Sequence, residues 1–328
     1  LGTIILGFAD TLMIGHHSTE ELAAAGLVNN IITFILVSYM GFSYGLTPII
    51  GKLYGMEKTD EIGQKVKNSF FANMVVGVIF SLALIILYFN LHRIGQPEEL
   101  LALIRPYFIV NLVSVLFVGV FNTLKQFLDG IGNTKVAMWV MIMGNIVNIF
   151  GNWVLIYGVG PCPEMGLLGA GISTLASRVL MAVAMVGIIA GTKEYREYRN
   201  NIIASRINGA DFREMNRLGW PVALQLALES GAFTLSCVMV GWLGTIPLAA
   251  HQVMITISQL FYLVLSGMAA ALAIRVSHFV GQNDFAAVRR NAYDGWRLNL
   301  LFSLCMGIPV LLLRHQIGGW FNDNVEVQ

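Results

Sequence analysis

From Phe70 to Leu91 the sequence runs without one charged side chain, and the same holds from Tyr107 to Leu124, from Val136 to Tyr157 and from Leu22 to Ile50. Gly166–Gly191 carries only Arg178, and Trp220–Ala273 carries only Glu229 and is interrupted at Gly241–Pro247. A helix needs about 20 apolar residues to cross a bilayer. In hydrocarbon the backbone polar groups must be satisfied within the spanning structure, so helices and closed barrels are the candidates. These runs are continuously apolar and do not alternate, which selects helices. With Leu298–Leu313 and the apolar start of the chain, the sequence predicts nine spans. Composition agrees: 56% of residues are hydrophobic and 12% charged, against roughly a quarter charged in soluble domains. The fold class is therefore an all-α integral membrane protein, with the lipid bilayer as its first partner. A net charge of +1 gives no reason to expect nucleic acid. Cys162, Cys237 and Cys305 are scattered without CxxC spacing, which argues against a disulfide or zinc framework.

The second constraint is a repeat. Adding 226 to a residue number takes Met13 to Met239, Gly15 to Gly241, Thr19 to Thr245, Ile31 to Ile257, Gly41 to Gly267, Gly55 to Gly281 and Asn73 to Asn299. Leu22-Ala23-Ala24 falls on Leu248-Ala249-Ala250. No gap is needed, so we read a parallel internal duplication. A period holding six spans implies about twelve in the whole architecture, two parallel six-helix bundles of which nine helices are expected here. On this reading the sequence lacks the start of the first helix and the last three helices. Basic residues cluster at 51–67, 125–135, 193–217 and 275–297, while the alternate turns hold few, which puts the basic set in the cytoplasm. The expected organisation is an N-terminal lobe at 1–192, a cytoplasmic inter-lobe loop at 193–217, and the first half of a second lobe at 218–328.

Charge inside a membrane is costly and marks function by default. Asp10 lies about 8 Å below the turn at Gly15 by helical rise. Glu229 lies about 18 Å from both Arg217 and Gly241, at the bilayer midplane. Asn145, Asn148 and Asn152 share one face of the fifth span, and Thr174 lies roughly 10 Å down the sixth. Helix–helix hydrogen bonding is the plainer role for such asparagines. One carboxylate among neutral amide and hydroxyl oxygens also suits a hard monovalent cation or a proton. His251 and Gln252 near the start of the eighth span either line a cavity or make helix contacts, and Asn145 and Gln225 belong to the same candidate substrate cavity. Arg178 reads as a structural residue snorkelling to the cytoplasmic interface. No catalytic triad, Walker loop or nucleotide fingerprint is present, so an enzyme is not expected and transport would run on an ion gradient or downhill.

The segments ADTLMIG, TPIIGKLYG, GIGNTKVAMWVMIMGNIVNIFGNWVLIYG, GLLGAGISTLASR, GWPVALQLALESGAF, LAAHQ and AIRVSHFVGQND resemble the multidrug and toxic compound extrusion (MATE) family, in its NorM-like branch. The resemblance covers essentially the whole chain. It implies a twelve-helix secondary transporter with two six-helix lobes in a V, the MATE/MOP-type fold. It implies export of organic cations such as drugs and dyes, in exchange for Na⁺ or H⁺, by a monomer in the bacterial inner membrane, with no cofactor beyond the coupling ion. Asp10 matches the family's first-span carboxylate, Asn148 and Asn152 its fifth-span pair, and Thr174 its sixth-span partner, with Ser173 adjacent. Some members have Asp where this chain has Asn152. These four residues would form a Na⁺ site or, through Asp10, a proton site. Glu229 would be the cation or proton ligand of the second lobe, with its acidic partner in a tenth span. A flippase for lipid-linked oligosaccharides or cell-wall precursors, from the same superfamily, is the alternative. The buried charges read as acidic, which favours cationic cargo.

Overall fold

The computed structural model describes residues 10–11, 13–94, 98–160 and 163–312. The start of the expected first span, Cys162 and Leu313 lie outside them. Among the described residues there are helices and no strands. After a helical segment ending at residue 17 come α1 (Thr19–Tyr44), α2 (Leu46–Gly55), α3 (Thr59–Phe89), α4 (Glu98–Gly130), α5 (Thr134–Ile156) and α6 (Gly166–Gly191). A short α7 (Arg196–Ala204) precedes α8 (Gly209–Gly241), α9 (Thr245–Gly281) and α10 (Phe285–Leu312). Among the described residues eight stretches are long and apolar enough to cross a membrane, α1 and α2 together counting as one. The chain divides into two compact units, residues 2–227 and 228–328.

In the first unit α4 is central and packs against α1, α2, α3, α5 and α6. Its buried face is polar over much of its length, with Asn111, Ser114, Asn122, Thr123, Gln126 and Asp129 all largely out of solvent. The outward faces are apolar instead. Phe71, Val78, Ile79, Leu82, Ile86 and Phe89 stand exposed along α3, and Trp139, Met143, Ile146, Phe150 and Trp153 along α5. A surface this apolar belongs in lipid, where hydrophobicity no longer drives helices together and packing and hydrogen bonds must do so.

Two contacts show how that is achieved. Tyr39 of α1 is fully buried, its ring crossing the unit against Gly77 of α3 and Gly119 of α4, and its hydroxyl donates to the Asn73 carbonyl at 2.8 Å. Any side chain at Gly119 would occupy the position of that hydroxyl. Gly41 and Gly45 of α1 and its C-terminal junction meet Gly219 and Ala223 of α8 backbone to backbone; a Cβ on Gly219 would lie 2.7 Å from the Phe42 carbonyl oxygen. Small residues spaced by four on both helices are what lets two spans approach so closely.

The segment 193–208 is helical in part and docked. Lys67 donates to the Ser205 carbonyl at 2.5 Å, Asn68 accepts from the Asn208 amide at 2.7 Å, and Lys65 pairs with Asp211 at 2.7 Å. In the second unit α9 packs along α10, with Gly295 against Leu272.

The duplication is written in the backbone. α1 begins at Thr19 and α9 at Thr245; α2 ends at Gly55 and α9 at Gly281; α3 begins at Thr59 and α10 at Phe285. The connecting turns repeat bond for bond. Met56 N–H donates to Lys52 O at 3.1 Å and Gln282 N–H to His278 O at 3.0 Å. Lys58 N–H donates to Leu53 O at 3.1 Å and Asp284 N–H to Phe279 O at 3.0 Å. At the same place in each turn a non-glycine residue takes a left-handed conformation, Glu57 at φ 59° and Asn283 at φ 58°.

Candidate functional site

The helical segment before α1 is fixed at its outer end. His17 stands between two carboxylates, Nδ1 at 2.8 Å from Glu21 and Nε2 at 2.8 Å from Glu164 of the loop before α6. The Tyr157 hydroxyl at the end of α5 donates to the Met13 carbonyl at 3.0 Å and its ring meets that of His17 edge-on. The hydrogen bond to Glu164 raises the His17 pKa above the ordinary histidine value, and the charge of Glu21 adds to it. One turn inward of these contacts lies Asp10.

Asp10 meets the polar face of α5. Asn152 Nδ2 donates to Asp10 Oδ1. Asn148, one turn along, satisfies its surroundings best with its amide turned so that Nδ2 donates to the same Asp10 oxygen at 2.9 Å and Oδ1 accepts from the Thr174 hydroxyl at 3.2 Å. Both asparagines are wholly buried, and Thr174 is 8% exposed. Asn152 Oδ1 is buried with no hydrogen-bond partner. Ser173, next to Thr174, turns away: its hydroxyl donates to the Asn148 backbone carbonyl at 2.8 Å and locks α6 to α5. The structure thus brings Asn148 and Asn152 together on the Asp10 carboxylate, with Thr174 joined to the cluster through Asn148.

The other residues singled out from sequence stand differently. Asn145 is half-buried on α5, a turn inward of Asn148. Gln225 is exposed on α8. In the second unit Glu229 is half-buried on α8, His251 is half-buried on α9 with a buried Nε2 that has no partner, and Gln252 is exposed. Among the described residues no group of three His, Cys, Asp or Glu side chains could hold a metal ion.

Arg178 is where sequence and structure part. It lies twelve residues after Gly166 and thirteen before Gly191, at the middle of α6 and not at its inner end. It is part-buried and donates through a guanidinium nitrogen to the Ser114 hydroxyl of α4. Tyr107 lies two turns outward of Ser114, donates to Asn29 of α1 at 2.9 Å and packs against Gly171 of α6. Sequence reasoning missed Asn29, Tyr107 and Ser114. The only signal for them was the four-residue step from Thr174 to Arg178, which puts both on one face.

The comparisons with known proteins follow this geometry. The MatE family model matches residues 1–154 and 221–328. The probable multidrug resistance protein NorM of Photorhabdus laumondii subsp. laumondii is 29% identical over 320 residues, covering 97% of this chain and 70% of that protein. Among solved structures, a MATE in complex with MaD3S superposes with a TM-score of 0.87 at 19% identity, and the eukaryotic MATE transporter AtDTX14 with 0.84 at 18%. A MOP superfamily transporter from Pyrococcus furiosus, described as having a binding pocket of reversed polarity, superposes with 0.83 at 20%. Each alignment covers 99% of this chain and 72% of the other. At such identities these structures speak for the fold, and the all-helical architecture expected from sequence is the one they share. The family match over most of the length settles the rest: this chain belongs to the MatE family and is a membrane transporter, not an enzyme.

Proposed function

We propose that this transporter exports organic cations in exchange for a monovalent coupling ion, Na⁺ or H⁺, by alternating access, as a monomer in a bacterial inner membrane. The observation that supports this reading is the Asp10 cluster. A carboxylate accepts from two buried amides, a threonine hydroxyl reaches one of those amides, and one buried amide oxygen, Asn152 Oδ1, is left without a donor. An unpaired buried acceptor is costly. Asp10, Asn152 and Thr174 carry the oxygens that would hold a cation here, and a bound cation or a protonated Asp10 would supply the partner that Asn152 Oδ1 lacks. The fit is that of oxygen ligands to a hard ion. Glu229, half-buried in the second unit, is the corresponding candidate there.

Ion binding removes a net charge from a low-dielectric site, and it changes the balance between two states only by binding one of them more tightly. Exchange follows when the cationic cargo favours the opposite state. The test is efflux of a fluorescent organic cation by the whole protein in inverted vesicles, with Na⁺ and pH gradients imposed one at a time. Asp10→Asn is expected to abolish efflux driven by either gradient. Full activity in that variant would overturn the role of Asp10. The flippase reading gains one observation, the positive charge of Arg178 inside the first unit. Efflux driven by neither gradient, with movement of a lipid-linked anionic sugar instead, would favour it.

A further inference from the structure

The lipid-facing side of the first unit is not smooth. Between α5 and α6 lies an apolar cleft of about 300 Å³, lined by Trp139, Met143, Gly144, Leu180, Met181 and Ala184. Gly144 shapes its floor: Met181 of α6 lies over the bare α5 backbone there, and a Cβ on Gly144 would collide with Met181 Cγ. Trp139, Met143 and Leu180 stand exposed along its rims, so the cleft opens to hydrocarbon. The flexible side chains of Met143 and Met181 suit an occupant without a fixed shape. One end of the cleft is basic. Asn133, just before α5, donates to the Tyr195 hydroxyl at 2.7 Å, which holds the start of α5 against the turn that follows α6. Lys135 and Lys193, each two residues from that bond, are exposed. Among the described residues neither has a carboxylate partner. Arg196 and Arg199 follow Lys193 on the same segment, against Glu194 and Glu197, and Glu197 is engaged by the Thr59 hydroxyl at 2.8 Å. Basic residues mark the cytoplasmic end of a span. Lys135 lies four residues before Trp139 and nine before Gly144. By helical rise the cleft therefore runs from about 6 to about 14 Å beneath it, within one half of a hydrocarbon core about 30 Å thick.

We propose that this cleft binds one phospholipid of the cytoplasmic leaflet with an anionic headgroup, an acyl chain lying along Trp139, Gly144 and Met181 and the headgroup at Lys135 and Lys193. Two features select that occupant. An apolar cleft that opens sideways into hydrocarbon is filled by a chain already in the bilayer. Basic groups at the cytoplasmic end of a crevice between spans attract anionic headgroups. A lipid uses both at once. A free phosphate or an acidic peptide would use the lysines and leave the cleft unfilled, and an apolar solute would fill the cleft and leave the lysines unused. The rest of the lipid-facing side of α5 lacks this pairing. Trp153, near its outer end, is also exposed, yet no lysine or arginine lies within a turn of it along the chain. Lipid beside Trp153 is solvent, whereas lipid beside Trp139 is a ligand.

The experiment uses the whole protein in phosphatidylcholine proteoliposomes, in two variants that keep only Trp139 or only Trp153. Phosphatidylglycerol or phosphatidylcholine with dibrominated acyl chains is added at equal mole fraction, and bromine quenches a tryptophan that it touches. One basic residue near the surface is worth roughly fivefold in affinity for anionic lipid. Trp139 is therefore expected to prefer brominated phosphatidylglycerol by about fivefold or more, and Trp153 to be quenched alike by both lipids. Lys135→Gln with Lys193→Gln should bring Trp139 to the level of Trp153, while Lys135→Arg with Lys193→Arg keeps the preference. Trp220 packs on Phe42, so where its replacement prevents folding, the wild type and the double glutamine variant are compared by native mass spectrometry after mixing with the two unlabelled lipids. Phosphatidylglycerol retained by the wild type and lost from the variant supports the site. Equal quenching of Trp139 by the two lipids, a preference that survives the glutamine pair, or equal retention would overturn it and leave only bulk lipid at the cleft. Trp139 quenched by neither lipid would also overturn it, since a further span or a second copy would then cover the cleft.

Discussion

Thr174 and Ser173 are neighbours in sequence with different tasks. The Thr174 hydroxyl reaches Asn148 inside the cluster, whereas the Ser173 hydroxyl is spent on the Asn148 backbone. Thr174→Ala is therefore expected to weaken ion dependence with little loss of stability. Ser173→Ala should cost about 1 kcal/mol of stability, the worth of one hydrogen bond, and leave the ion half-saturation unchanged. Transport assays and thermal unfolding separate the two. His17 gives a pH prediction at the same scale. Its pKa is raised by its carboxylate partners, so the contacts it makes are complete below the ordinary histidine pKa and weaken as pH rises through the raised value. Hydrogen exchange at 13–18 should accelerate over that window, and Glu164→Gln should move the acceleration to lower pH. An exchange rate with no step in pH would discount the clasp. The sequence already showed Asp10, Asn148, Asn152 and Thr174, because intramembrane polar residues are rare and a helical period places them. It did not show Arg178 with Ser114, because a lone arginine in an apolar run looks the same whether it reaches water or a buried hydroxyl, and only the packing of α4 on α6 decides between them.

At the scale of elements, close packing in lipid rests on small residues and buried polar contacts. Gly219→Leu must push α8 off the α1–α2 junction, since even a Cβ there would sit 2.7 Å from the Phe42 carbonyl oxygen. Loss of correctly folded protein, read as the monodisperse fraction after extraction, is expected for Gly219→Leu, and a much smaller loss for Gly26→Leu, where a Cβ meets nothing within 4 Å. Equal yields of the two variants would contradict the close-approach argument. The segment 193–208 is an element in the same sense. It is pinned to α3 through Lys67 and Asn68, so Asn68→Leu should expose it to protease far more than a substitution on the lipid face of α3. The spans themselves were readable from uncharged runs because lipid tolerates so little else. The pinning was not, because loop composition is silent about which carbonyl a lysine will find.

For the whole molecule, the repeat is more than a pattern of letters. The turns at 56–58 and 282–284 share no residue, Met-Glu-Lys against Gln-Asn-Asp, yet they keep the same hydrogen bonds and the same left-handed residue. Exchanging the two tripeptides should leave thermal stability within about 1 kcal/mol, since surface changes that preserve backbone geometry rarely cost more. A large loss would mean that the side chains and not the turn are what is kept. Letter matches across the 226-residue offset are sparse enough to be dismissed one by one, whereas three helix ends coincide to the residue. A descent traced only through identical residues would pass over these turns, where the geometry is kept and every residue differs.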